Sequence, residues 1–225
     1  PDYQTACGCT DILMHTMERY FTSGGNMELT DSIAEALMRT VLKNARILKD
    51  DPQNYDARAE VMWAGSLSHN GLTGCGSDGG DFATHMLEHE MGGLYDVAHG
   101  AGLAAVWGSW ARYVLDHCLP RFFRFAVNVM GVEPIADVKA AALQGIAAME
   151  SFFREIGMPT CFSELGITAA EEDLSLMAKK CAAATLFISS ANSLSTAPIV
   201  ISGTPEQKEK YLPGVVSGEE LIAFG

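Results

Sequence analysis

Positive charge is scarce in this chain: 15 lysines and arginines stand against 28 aspartates and glutamates, a formal net charge of −13 over 225 residues. No Lys/Arg run is dense enough to offset the cost of approaching phosphates, which argues against nucleic acid and anionic membrane surfaces as partners. Small molecules are the expected partners. Long apolar runs are missing too. No stretch reaches the roughly 18 uninterrupted apolar residues of a membrane-spanning helix, and the opening PDYQTACGCTD carries no basic and no apolar leader segment. Cysteine is present but unpatterned, at 7, 9, 75, 118, 161 and 181 with no CxxC pair, and a chain that is 48% hydrophobic builds a core without disulfide staples. Reduced thiols in the cytoplasm follow as the expectation. The chain starts without Met and stops at IAFG, inside what reads as an apolar strand, so we expect both ends to be cuts in a longer protein.

Alternating strand patterns are absent from about residue 10 to residue 180. Apolar residues recur there at three and four: Ile12, Leu13, Met17 and Tyr20, then Ile33, Leu37, Val41, Leu42 and Ile47. The spacing predicts an all-α fold of roughly seven helices. Thr30 or Asp31 is the expected N-cap of the helix that Asp51-Pro52 closes. The Gly-rich stretch 71–81, GLTGCGSDGGD, has no G-x-G-x-x-G register, no GK[ST] and no preceding strand, and reads as a plain loop before a helix opening near Phe82.

Several metal motifs are also missing. His89-Glu90-Met91-Gly92-Gly93 begins like HExxH but has Gly93 where the second histidine belongs. No Glu-x-x-His occurs, which removes the di-iron carboxylate bundle, and no His-Asp dipeptide occurs. What is there is a different constellation. Asp11 and His15 stand four apart, as do His85 and His89, so each pair shares a helix face one turn apart. His99 follows after Gly92-Gly93, where the chain is expected to turn. A carboxylate among histidines on helices otherwise poor in charge is hard to bury without a compensating cation. Imidazoles with one carboxylate suit Zn²⁺ or Fe²⁺ better than Mg²⁺ or Ca²⁺. A mononuclear site of one Asp and three His remains. His69 reads as a packing residue, with lining of the cleft as its other reading and no role as a ligand, and His117 reads as a surface histidine at a helix end.

The order Asp11-x-x-x-His15, then His85-x-x-x-His89 and His99-Gly100, resembles the metal domain of the iron-containing, group III alcohol dehydrogenases, in their butanol dehydrogenase branch. The flanks GCTDILMHTMERYFT, SLSHNGLTG, DFATHMLEHEMGGLYDVAHGAGLA and FFREIGMPTCFSELGI carry the same resemblance over about residues 1–180. It implies a helical metal domain in which Asp11, His15, His85 and His99 ligate a divalent metal. His89 would lie by the nicotinamide and relay protons. It also implies an N-terminal nucleotide-binding domain for NAD(P)H, which is missing here, a primary alcohol such as butanol or its aldehyde as substrate, and an oligomeric full-length enzyme. The isolated chain is expected to be inactive.

The tail, 181–225, is similar instead to the N-terminal part of an acyl-CoA dehydrogenase, through GTPEQKEKYLP and SGEELIAFG. Two other readings stay open: an acyl-CoA dehydrogenase fragment, or a helical module that binds metal without catalysis. Leu186, Phe187, Ile188, Leu194 and Ile199 would expect packing partners from that second family, so the tail should be a poorly anchored helix with an extended end. Limited proteolysis is expected to cut first between about Ala182 and Gly203, leaving a resistant fragment with all five site residues. A tail that resists cleavage, and whose removal unfolds the rest, would overturn the partition.

Overall fold

In the computed structural model, residues 2–21, 27–77, 79–188 and 204 are described. They are helical without strands: α1 (Asp2–Tyr20), α2 (Glu28–Asp50), α3 (Tyr55–His69), α4 (Ala83–Tyr95), α5 (His99–Val114), α6 (Leu119–Asn128), α7 (Val138–Glu155) and α8 (Glu171–Ile188). The chain divides into a first unit, residues 1–169, which holds α1–α7, and a second, 170–225, of which α8 is the described element. The predicted strand-like end and most of the tail lie outside the described residues. All six cysteines are free, and no helix among the described residues is long and apolar enough to cross a membrane.

Helix α1 is the centre of the first unit, packed by α2, α3 and α5. Its sequence explains why. Cys9, Leu13, Met14 and Met17 are fully buried and fall on more than one face, so the helix is enclosed rather than amphipathic. The polar residues that come inside with them are satisfied locally. Thr10 and Thr16 donate to the carbonyls of Ala6 and Ile12, one turn back. By contrast α2 buries Ala34, Leu37, Met38, Val41, Leu42, Ala45 and Leu48, a single stripe at spacings of three and four. Gly100, at the start of α5, lets the backbones of α5 and α1 touch: a Cβ there would lie 2.3 Å from the Cys7 carbonyl oxygen. That close approach carries its neighbour, His99, to the polar face of α1.

Two boundary expectations change. Helix α2 begins at Glu28 without a side-chain cap, because the expected caps are used elsewhere: Thr30 donates to the Cys75 carbonyl, and Asp31 accepts from Arg121. Helix α4 runs through Gly92-Gly93, and the turn comes at Asp96 in a left-handed conformation (φ 52°), which aspartate tolerates better than most residues. Among the described residues of the stretch 71–81 a short 3₁₀ turn forms at Leu72–Gly74 and the others are non-helical.

Away from the histidines, α1, α2 and α6 are clamped by buried charge. Arg121 donates to both oxygens of Asp31 at 2.6 Å and to the Tyr20 carbonyl at 2.6 and 2.9 Å. Glu35 accepts from the Tyr20 hydroxyl at 2.9 Å, from Arg124, and from the Asn128 amide. Removing one partner strands the other in a dry site. Arg121→Ala is therefore expected to cost about 3–5 kcal/mol in a urea melt. A loss under about 1 kcal/mol would mean that the pair behaves as an exposed one.

Candidate metal centre

Asp11, His15 and Glu18 lie on one face of α1, at spacings of four and three. Helix α4 presents His85 and Glu88, and α5 opens with His99. The acidic face of α1 is where these elements meet. One carboxylate oxygen of Asp11, Oδ1, lies 3.3 Å from His85 Nε2, 3.3 Å from His99 Nε2 and 3.6 Å from His15 Nε2. Asp11, His15 and His85 offer ligand atoms within 4.8 Å of one another, and His99 joins through Asp11. In a tetrahedral site the ligand–ligand edge is about 1.6 times the bond, so bonds of roughly 2.0–2.2 Å require edges of about 3.3–3.6 Å. The three contacts of Asp11 have this length, and carboxylate oxygen with imidazole nitrogen is the donor set of a Zn²⁺- or Fe²⁺-type ion.

The remaining imidazole nitrogens point away from Asp11. His85 Nδ1 meets Glu18 Oε2, while Glu18 Oε1 accepts from the Thr84 hydroxyl and, at 3.1 Å, from the His85 backbone N–H. His99 Nδ1 meets Glu88 Oε2. Both glutamates are buried. His15 has no such support, for its Nδ1 is buried with no hydrogen-bond partner. His89 does not touch Asp11. It stands exposed at the rim, its ring 5.5 Å from that of His99 and nearly parallel to it. Glu88, His89 and His99 also offer ligand atoms within 4.8 Å of one another, as a second, more exposed group.

His69 faces the site rather than only packing. Its Nε2 is 3.2 Å from Asp11 Oδ2, and its Nδ1 is 2.9 Å from the Gly65 carbonyl, so it holds the carboxylate oxygen that the other histidines leave free. No local spacing could reveal a contact across 58 residues. Glu18 and Glu88 were legible in principle, seven residues after Asp11 and three after His85 on the same helix faces. His117 is exposed just past α5.

Each of Asp11, His15, His85 and His99 is shifted by its surroundings. Burial would raise the Asp11 carboxyl, but hydrogen bonds from His85 and His99 and the charge of His15 hold it well below the usual carboxylate range. Burial and the nearby His85 push His15 down to about 4. Burial opposes charge on His85 as well, yet bonds to Asp11 and Glu18 raise it to about 9. Bonds to Asp11 and Glu88 raise His99 to about 10.

Comparison with known proteins gives the family and the fold of this chain. Residues 5–200 match the model of the Fe-containing alcohol dehydrogenase family, C-terminal. NADH-dependent butanol dehydrogenase A of Clostridium acetobutylicum is 38% identical over 181 residues, covering 80% of this chain and 46% of that protein. The crystal structure of NADH-dependent butanol dehydrogenase A from Thermotoga maritima aligns with a TM-score of 0.75 and 34% identity, over 84% of this chain and 45% of that one. The aldehyde reductase YqhD of Escherichia coli, in its substrate- and cofactor-free form, aligns with a TM-score of 0.77 and 30% identity, over 83% and 48%. The chain thus spans just under half the length of these relatives.

Both raised histidines are protonated near neutral pH, so a divalent ion entering the cluster must displace about two protons. Zinc affinity is expected to rise about a hundredfold per pH unit between pH 6 and 8, with matching proton release in calorimetry run in two buffers. Affinity that levels off near pH 6.5 would mean ordinary histidines. In the metal-free chain the same bonds contribute stability that is complete below the ordinary His value of 6.5 and is lost as pH rises through about 9 to 10.

Proposed function

Because this chain belongs to the Fe-containing alcohol dehydrogenase family, matching its C-terminal model over residues 5–200, we propose that it is the metal-binding part of an NAD(P)-dependent alcohol dehydrogenase. The observation that carries the reading is the meeting of three imidazole nitrogens around one oxygen of Asp11, at 3.3, 3.3 and 3.6 Å. Asp11, His15, His85 and His99 are the proposed ligands. A divalent ion held there, Fe²⁺ or Zn²⁺, supplies Lewis acidity toward the oxygen of a primary alcohol or aldehyde. The similarity to butanol dehydrogenases and to an aldehyde reductase supports small alcohols and aldehydes as substrates. NADH or NADPH would come from the nucleotide-binding portion that the family resemblance implies, which has no motif in these 225 residues.

The chain's own residues have separable tasks. Asp11 brings negative charge to the centre, and His99, 43% exposed, is on its solvent side. His89 stands on that side without contacting Asp11. We assign it the transfer of the alcohol proton toward water, next to the nicotinamide, in keeping with its exposure and its stacking on His99. The same proposal places the complete enzyme in the cytoplasm, as a homo-oligomer. It divides this sequence into a metal domain, 1–180, and a segment, 181–225, that resembles an acyl-CoA dehydrogenase.

Substitution in a complete enzyme separates ligand from relay. His85→Ala is expected to abolish metal binding, measured as metal content after gel filtration. His89→Ala should retain the metal and lose about a hundredfold in turnover. Equal metal loss in both variants would place His89 among the ligands and overturn the assignment.

A further inference from the structure

We propose that Glu88 is a positioning residue for this metal centre and that Gly102 provides its seat: together they turn His99 so that Nε2, not Nδ1, faces Asp11. The inference rests on the cation reading above. It begins with the difference between two histidines. His85 is only 5% exposed, and Glu18 holds its ring and backbone together with the Thr84 hydroxyl at the first turn of α4, so its orientation is determined several times over. His99 is the first residue of α5, follows an extended Ala98 and is 43% exposed. Walls alone do not orient such a ring. Its Nδ1 is bonded to Glu88, which is 2% exposed. A carboxylate oxygen only accepts, so Nδ1 keeps its hydrogen on Glu88, and Nε2, 3.3 Å from Asp11 Oδ1, is the nitrogen whose proton a cation would displace to use the lone pair. Such outer partners set the tautomer and basicity of ligating histidines.

Gly102 lies three residues beyond His99, on the same face of α5. A Cβ at this position would stand 2.7 Å from Glu88 Cγ, 2.9 Å from Glu88 Oε1 and 2.8 Å from Met91 Cε. Helical propensity disfavours glycine in the interior of α5 by roughly 1 kcal/mol relative to alanine, so its presence needs a packing reason. The space for Glu88 is that reason. An alanine here would push the carboxylate off Nδ1 or force α4 and α5 apart.

Zinc binding to the 225-residue chain tests the assignment, with affinity read by chelator competition and the His99 ring by long-range ¹H–¹⁵N NMR. Zinc should shift Nε2 of His99 while Nδ1 stays protonated. Glu88→Ala and Gly102→Ala should each weaken zinc about 10–100-fold, and Glu88→Gln, whose amide oxygen still accepts from Nδ1, should recover part of that loss. In a His99→Gln background, Glu88→Ala should cost less than about twofold more, since the coupling runs through that ring. Equal losses in both backgrounds, or wild-type affinity in Glu88→Ala, would overturn the proposal while leaving the metal centre intact. Zinc on Nδ1 would place the ion among Glu88, His89 and His99 and would also overturn it, a result that stands whether or not any variant folds. Failure of the wild-type chain to bind zinc would remove both the centre and the positioning role.

Discussion

Helix α1 carries two carboxylates on one face, Asp11 and Glu18, into a region otherwise filled by Leu13, Met14 and Met17, and the charge they bring governs what surrounds them. A carboxylate that loses water must regain hydrogen bonds or a counter-charge. Glu18 regains three: a hydroxyl, a backbone N–H and an imidazole, all from the first turn of α4. Asp11 regains imidazoles on both oxygens, from α1, α3, α4 and α5. Docking of α4 and α5 onto α1 and assembly of the histidine cluster are therefore one process.

The hydrophobic packing serves that geometry. Trp107, Met91, Phe122 and Phe153 fill the interior around α5 and its neighbours, but burial is non-directional and does not decide where a ring nitrogen points. Direction comes from close backbone approach and from hydrogen bonds. At Gly100 the backbone of α5 touches α1, which puts His99 within reach of Asp11. Elsewhere in the unit, the Arg121–Asp31 and Arg124–Glu35 pairs, with the Arg121 bonds to the Tyr20 carbonyl, tie α1, α2 and α6 together without a histidine. Acidic side chains thus do two jobs in this fold: beside arginine they clamp helices, and beside histidine they build a site that protons or a cation can occupy.

That exchange of proton for cation links structure to the proposed function. The three imidazoles around Asp11 Oδ1 divide into two raised well above the ordinary histidine range and one lowered, because His85 and His99 sit between carboxylates while burial and a neighbouring imidazole oppose charge on His15. His89 is outside this set and exposed to solvent, which suits the proton transfer proposed for it.

Residue spacing alone determined the all-helical class, the pairing of Asp11 with His15 and of His85 with His89, and the kind of ion that such donors suit, since each depends on residues within one or two helical turns. Family resemblance separated His89 from the other histidines. The tertiary structure alone decided that His99 shares an oxygen with His85, that His69 holds the other oxygen of Asp11 rather than only packing, and that Glu18 and Glu88 stand behind the imidazoles. It also moved the start of α2 and the turn after α4, because Thr30 and Asp31 are committed to distant partners and Gly92-Gly93 stays helical. The physical reason is range. Periodicity encodes which face of a helix a side chain occupies, whereas Glu18 meets His85 across 67 residues and Asp11 meets it across 74, contacts that exist only once hydrophobic packing has brought the two helices together.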